Sequence, residues 1–305
     1  MSYRENILVD LDTLDLTANS GVNFDKYSEK QLKSLWRKTL EAGMHGICFS
    51  MYEDGQEPGD TITVAQVERR VKILKPYTNW IRSFSCIEGN EHIPRVAKQH
   101  GLKTLVGAWL GDDDEKNKQE IKALIELANE GNVDIAAVGN EVLYRNDLSL
   151  DELIDYMKEV RAAIPAHIPI GYVDAYYEFS AHPELVEHSD VILSNCYPFW
   201  EGCPAEYALL HMQSMYGQAM DAAKGKKVII TEAGWPSKGE NLKGAIPSEV
   251  HAMQYFINTQ TWAKRSNVEV FYFSSFDESW KVGPEGEVGA YWGLWDKDEN
   301  IKFSL

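Results

Sequence analysis

The sequence predicts an α/β fold of the (β/α)8 type, a single-domain TIM barrel, and three observations lead there. The chain has 305 residues, 44% of them hydrophobic, enough to bury the core of one large barrel. Eight short apolar runs alternate with longer amphipathic ones. The short runs are apolar on both faces, as strands are when helices cover one side and a packed barrel interior fills the other.

In order, the expected strands are HGICFSMY (45–52), WIRSFSC (80–86), KTLVGAWL (103–110), VDIAAVGNE (133–141), IPIGYVDAY (168–176), DVILSNCYP (190–198), KVIITEAG (227–234) and VEVFYFSSF (268–276). Helical periods between them include TVAQVERRVKILKPY, EKNKQEIKALIELANEG, LSLDELIDYMKEVRAAI and PSEVHAMQYFINTQTWAKR, several opening on Ser or Thr. SEKQLKSLWRKTLEAG, ahead of the first strand, is amphipathic and suits a helix near barrel closure. The barrel is expected to be trimmed in two places. The unit after strand five is short, and the tail after strand eight, KVGPEGEVGAYWGLWDKDENIKFSL, has no long helical period. Residues 1–27 are acidic and weakly patterned and read as an N-terminal arm; residues 28–305 read as the catalytic domain, undivided by any Pro/Gly/Ser linker.

Thirty Lys and Arg against 47 Asp and Glu give a formal net charge of −17. That balance repels phosphate backbones and anionic headgroups, which excludes nucleic acid and membrane surfaces as expected partners and favours a neutral ligand. No run approaches the roughly 18 to 20 apolar residues of a membrane helix. The start MSYRENILVDLDTLDL lacks the basic and apolar regions of a signal peptide, so the expected location is the cytoplasm or, for a protein supplied without its leader, outside the cell. A monomer is expected. Cys48, Cys86, Cys196 and Cys203 form no C-x-x-C pair and read as reduced, buried thiols, with a disulfide as the alternative. The eight histidines show no zinc-ligand pattern. GDDDEKNK (111–118) lacks the spacing of a calcium loop and reads as the acidic start of a helix. No phosphate-cradling glycine motif follows a strand, so no metal or cofactor is expected.

The chemistry lies at two strand ends. VDIAAVGNE and KVIITEAGWP share one grammar, an apolar strand ending on a glutamate, and so place Glu141 after strand four and Glu232 after strand seven. Catalytic residues of this architecture come from the carboxyl ends of strands. Strands three apart in an eight-stranded ring lie on opposing walls, where two carboxylates could flank a glycosidic bond. A separation of about 5 to 5.5 Å fits a retaining mechanism and about 6.5 to 9.5 Å an inverting one. The alternative for each glutamate alone is a surface carboxylate capping the following helix.

VGNEVLYR and ITEAGWPS resemble the acid/base and nucleophile segments of glycoside hydrolase family 17, the β-1,3-glucanase family of the retaining barrel clan. ICFSMY, IRSFSC and VGAWLG resemble its bacterial and fungal branch rather than the plant one, and NCYPFW and FSSFDESWK also fit. The likeness covers roughly residues 40 to 295. It implies Glu141 as acid/base and Glu232 as nucleophile. It implies Asn140 as the partner of the sugar 2-hydroxyl, Tyr197 as the residue orienting the nucleophile, and Glu278 and Lys281 as a polar pair after strand eight. Arg82 would lie below the carboxylates and hold Glu232 ionised, with a barrel-interior salt bridge as the alternative.

Strand-end aromatics offer apolar faces for sugar rings. Tyr52 and Trp200 lead, followed by Trp109 and Trp280; Tyr176, Tyr177 and Phe199 are further strand-end aromatics. Trp235 stands with the substrate-binding candidates but reads as turn packing. The expected activity is retaining cleavage of β-1,3-glucosidic linkages in laminarin-type glucans or oligosaccharides, with the trimmed loops leaning to endo action. Its rivals are a β-1,3-glucan transglycosylase using the same glutamates, with Phe199 and Trp200 at acceptor subsites, and an inactive glucan-binding barrel.

Overall fold

The computed structural model describes residues 21–304. In chain order the elements are α1 (Glu29–Glu41), β1 (Met44–Cys48), α2 (Val64–Leu74), β2 (Thr78–Ser83), α3 (His92–Gln99), β3 (Lys103–Ala108), α4 (Asp114–Asn129), β4 (Ile135–Asn140), α5 (Val142–Arg145) and α6 (Leu150–Ala163). They continue with β5 (Ile170–Ala175), α7 (Glu178–Ala181), α8 (Pro183–His188), β6 (Val191–Asn195), α9 (Ala208–Ala222), β7 (Lys227–Ala233), α10 (Glu249–Ser266), β8 (Val270–Tyr272) and α11 (Val282–Glu285). The strands close into one barrel in the order of the chain, with β1 pairing β8 in parallel. All eight expected strands are present. Each expected run continues past the end of its ladder, because the residues that follow a strand are still largely buried and apolar although they no longer pair.

Helix starts follow from their caps. The hydroxyls of Ser28, Thr63, Ser149 and Ser248 each accept a hydrogen bond from a backbone N–H of the first turn, and Ser28 and Ser149 complete capping boxes with Gln31 and Glu152. Asp113 caps α4, so the acidic run 111–118 is a helix start. The trimming is also as expected: β5 is followed by the short α7 and α8, and β8 by two 3-10 turns flanking the single turn of α11. Two full-size helices, α3 and α9, have no counterpart in the sequence reading. Pro94 interrupts the pattern of the first.

Contacts within the chain define two compact units. One comprises Gly59–Asn195 and Tyr216–Thr231, with the parallel ladder from β2 to β6 at its centre. The other comprises the described residues up to Pro58, Cys196–Met215 and the chain from Glu232 onward. Here α1 lies on α10: Trp36 is buried with its ring 5.9 Å from Phe256 and 5.1 Å from Phe303. Lys264 donates to the Ala42 carbonyl at 2.8 Å. This is the helix expected near β1. Of the arm assigned to 1–27, residues 1–20 lie outside the described residues; Val22 N–H donates to Asn258 on α10 at 2.8 Å.

Candidate active site

Glu141 stands one residue beyond β4. Gly139, at φ +85°, shifts the register of β4 on β5 between Ala137 and Asn140. Such a bulge re-aims the residues after it. Glu141 then takes a left-handed conformation itself, φ +51°, which costs a non-glycine residue about 1–2 kcal/mol. Several bonds hold it there. Its N–H donates to Val173 O at 2.7 Å and its carbonyl accepts from Arg145 N–H at 2.9 Å. Asn195 Nδ2 donates to its Oε1 at 2.8 Å. Beneath the turn, Tyr172 Oη accepts from Leu143 N–H at 2.9 Å and donates to Asp174 Oδ2. Asp174 also takes Ala175 N–H at 2.7 Å and Tyr144 N–H at 3.4 Å. Burial pushes the Asp174 carboxyl well above the carboxylate range; the Glu141 charge acts in the same direction and the Tyr172 hydroxyl against it.

The neighbouring candidates belong to the same wall. Asn140 Oδ1 accepts from Arg82 Nη2 at 2.7 Å, and Arg82 Nη1 reaches Thr231 O at 3.5 Å. Arg82 is 1% exposed and its guanidinium lies 4.2 Å from the Phe84 ring centre. Trp109 is half-buried, with the Arg145 guanidinium 4.5 Å from its ring centre. Arg145 donates to Asp147 at 2.6 Å, to Leu110 O at 2.7 Å and to Asn140 O. It thereby ties the β3 and β4 ends together.

Glu232 lies inside β7, next to its last residue. Its Oε2 accepts from Tyr197 Oη at 2.7 Å, the contact expected of Tyr197, and its carbonyl accepts from Cys196 N–H at 2.9 Å. Lys281 pairs with Glu278 at 2.8 Å and sits 4.3 Å from the Phe273 ring centre. Burial works to lower the Lys281 pKa, but Glu278, Glu285 and Glu232 outweigh it, so the ammonium is held more firmly charged than usual. The other Glu278 oxygen accepts Tyr52 N–H at 3.0 Å, which joins β1 to the polar pair. Glu285 is half-buried and pushed to about 7, first by burial and further by Glu232 and Glu278, against the Lys281 charge and the Trp292 indole.

Trp292 organises the aromatics of this wall. The rings of Tyr197, Phe199 and Trp200 are each 5.6 Å from it and that of Phe273 is 5.7 Å away. Trp200 is half-buried and rests on wholly buried Phe199, which therefore supports Trp200 rather than offering a face of its own. Trp235 is 1% exposed, packed on Phe199 and Tyr255, with its indole N–H on Ile246 O at 3.1 Å. It is turn packing, and no ring face is left for a sugar. Tyr52 is buried with its ring 5.8 Å from Trp280.

Asn195, Asp174, Glu285 and Trp292 were not singled out in the sequence. Asn195 opens the NCYPFW segment; Asp174 is the one polar residue of its strand, and Glu285 and Trp292 lie in the tail without a long helical period. The four cysteines are buried thiols. Among the described residues no group of three or more His, Cys, Asp or Glu is arranged to hold a metal ion, and no helix is long and apolar enough to cross a membrane.

Residues 46–293 match the family model described as the BtgE/BtgC glycoside hydrolase domain. The chain is 27% identical over 273 residues to the glucan 1,3-beta-glucosidase of Saccharomyces cerevisiae, covering 81% of this chain and 87% of that one. It is 29% identical over 265 residues to a glucan 1,3-beta-glucosidase of Arthroderma benhamiae, covering 79% and 84%. Among solved structures, the family 17 beta-1,3-glucanosyltransferase of Rhizomucor miehei is similar, with a TM-score of 0.77 at 30% identity, covering 86% of this chain and 96% of that one. The same enzyme, as an active-site mutant, has been solved with laminaritriose.

Proposed function

The chain belongs to glycoside hydrolase family 17, and from that premise we propose that it cleaves β-1,3-glucosidic linkages in laminarin-type glucans or oligosaccharides by retaining double displacement. A Glu232 oxygen attacks the anomeric carbon while Glu141 donates its proton to the departing glycosidic oxygen, and the C–O bond breaks. Water then enters, Glu141 takes its proton, and the glucosyl ester to Glu232 is released. The observation that carries this reading is the unlike support of the two strand-end glutamates. Tyr197 fixes one oxygen of Glu232 and so orients the attacking group, whereas Glu141 is held through its backbone and the Asn195 amide. The names of the yeast and Arthroderma relatives support the linkage.

In this reading Asn140 meets the 2-hydroxyl, Trp200 and Trp109 stack on sugar rings, and Lys281 with Glu278 meets sugar hydroxyls. The substrate is neutral, the enzyme acts as a monomer, and the short segments after β5 and β8 favour endo action. A second reading, glucanosyl transfer to a sugar hydroxyl in place of water, is supported by the likeness to the Rhizomucor miehei transferase. Incubation with a reduced laminari-oligosaccharide separates the two. Hydrolysis gives only shorter products, the first of them released as the β-anomer. Products longer than the substrate would sink simple hydrolysis, an α-anomer would sink retention, and binding without turnover would leave the inactive barrel.

A further inference from the structure

We propose that Thr231, on β7, is a positioning residue for Glu141: its hydroxyl holds the Asn195 amide in one orientation, so that the amide N–H meets Glu141 Oε1 and the acidic proton is left to Oε2. This rests on the reading of Glu141 as acid/base. The contacts are continuous. Thr231 Oγ1 donates to Asn195 Oδ1 at 2.9 Å, and Asn195 Nδ2 donates to Glu141 Oε1 at 2.8 Å. Arg82 closes a ring behind them, with Nη2 on Asn140 Oδ1 at 2.7 Å and Nη1 on Thr231 O at 3.5 Å, and Asn140 is the residue before Glu141. Thr231, Asn195 and Arg82 are all buried, so these bonds are shielded from solvent.

Packing alone would not call for a hydroxyl here. Val228, Ile229 and Ile230 precede Thr231 on β7 and are buried, and a valine would fill its place without the cost of burying a polar group. What the hydroxyl adds is direction. The two ends of an amide are alike in outline and differ in that one accepts and the other donates. While Glu141 is ionised its charge calls for a donor, which gives Asn195 Nδ2 to Glu141 and Oδ1 to Thr231. The Thr231 bond then keeps that orientation when Glu141 regains its proton. Turned over, Asn195 would set its oxygen against Glu141 Oε1, two acceptors face to face in the ionised state. With a donor fixed on Oε1, the proton that passes to the glycosidic oxygen and is later taken from water is carried by Oε2, in one place for both steps. Thus β7 serves both glutamates: it carries Glu232, and the residue before Glu232 guides the acid. Thr231 touches no substrate in this scheme; it acts through Asn195.

The test compares kcat/KM on laminaripentaose with kcat/KM on a dinitrophenyl β-glycoside, whose leaving group needs no proton, in Thr231→Val, Thr231→Ser and Asn195→Ala. Thr231→Val keeps the shape and loses the donor, so it should fall about tenfold on laminaripentaose, the worth of one buried hydrogen bond, and by no more than about twofold on the activated glycoside. Thr231→Ser keeps the hydroxyl and should stay close to the wild type on both. Asn195→Ala should lose at least as much as Thr231→Val, and adding Thr231→Val to it should cost nothing further, because a residue that acts only through Asn195 has no effect once the amide is gone. Wild-type rates in Thr231→Val, equal losses on the two substrates, no recovery in Thr231→Ser, or additive losses in the double variant would each overturn the proposal. Should Thr231→Val fail to fold, Thr231→Cys carries the test: its weaker donor should give the same selective loss in smaller measure, and an unselective loss or none overturns the proposal. Glu141→Ala separates the two levels: wild-type turnover of laminaripentaose would overturn the acid assignment and this inference together. An inactive Glu141→Ala beside an unaffected Thr231→Val overturns this inference alone.

Discussion

The ends of β4 and β7 begin from the same sequence grammar and reach opposite solutions. At β4 the glutamate lies outside the ladder, in a left-handed turn that a glycine bulge aims and a buried carboxyl secures. At β7 the glutamate stays inside the strand with ordinary backbone, and side chains distant in sequence, Tyr197 and the Lys281–Glu278 pair, define its setting. Glu141 is positioned through its backbone with the Asn195 amide on its carboxylate, and Glu232 through neighbouring side chains. On the proposed roles, the acid/base is set mainly by the turn of its backbone and the nucleophile mainly by the side chains around it.

Removing each carboxyl should expose that difference most strongly. Glu232→Ala should lose several orders of magnitude in kcat on every substrate, because no leaving group compensates for a missing nucleophile. Glu141→Ala should lose about 10²- to 10⁴-fold on laminari-oligosaccharides and far less on the first step with a dinitrophenyl glycoside. Steady-state and burst kinetics on both substrates provide the readout; equal losses on the activated substrate would break the contrast. Tyr197→Phe should come next. It removes a single hydrogen bond to a charged group, worth about 1.5–3 kcal/mol, so kcat should fall roughly ten- to a hundredfold while KM changes little. An unchanged kcat would show that Glu232 does not depend on Tyr197 for its aim.

The glycines at the two ends divide in the same way. Gly139 is required first for its positive φ, and an added Cβ would also lie 2.9 Å from the Val142 side chain, so Gly139→Ala should cost at least about 1–2 kcal/mol and disturb Glu141. Gly234 is required for space: an added Cβ would lie 2.0 Å from Phe273 O, closer than any side chain tolerates. Gly234→Ala should therefore force β7 and β8 apart and destabilise more than Gly139→Ala does. Urea midpoints measured side by side decide it, and the reverse order would refute the distinction.

The sequence carries this fold well because a barrel repeats one pattern. Each β/α unit is apolar over a short run and amphipathic over a longer one, and the caps Ser28, Thr63, Ser149 and Ser248 mark where the second begins. The two glutamates were legible for a related reason: an ionisable residue ending a buried run conflicts with its surroundings, and that conflict is visible locally. Trp292 and Glu285 were not legible. They lie in a tail without period, and their significance comes from Tyr197, Phe199, Trp200 and Lys281, none of them close by in sequence except the last. Asp174 escaped because YVDAY reads simply as a strand with one polar residue. Trp235 and Phe199 lie beside exposed-looking loop residues, yet both are buried, since chain proximity to a site does not say which way a ring turns.

The smallest expected effect separates the chain that follows each glutamate. After Glu141 the chain turns at once through α5 and starts α6 at a full capping box, in which Ser149 Oγ accepts Glu152 N–H and Glu152 Oε2 accepts Ser149 N–H at 2.8 Å. After Glu232 it runs a longer path to α10, where Ser248 accepts His251 N–H at 3.0 Å with no reciprocal bond from the third helical residue in that cap. Removing either hydroxyl should cost about 0.5–2 kcal/mol, with Ser149→Ala toward the upper end, because Glu152 loses the Oγ–H it accepts as well as its own N–H partner. Neither substitution should move kcat or the pH profile by more than about twofold, since a cap of this size secures a helix start and not a carboxyl. Chemical denaturation gives the first comparison and kinetics the second. If Ser149→Ala changed the basic limb while Ser248→Ala did not, the backbone support of Glu141 would extend beyond α5 into α6. The contrast between the two strand ends would then be sharper than the bonds around Tyr172 and Asp174 alone require.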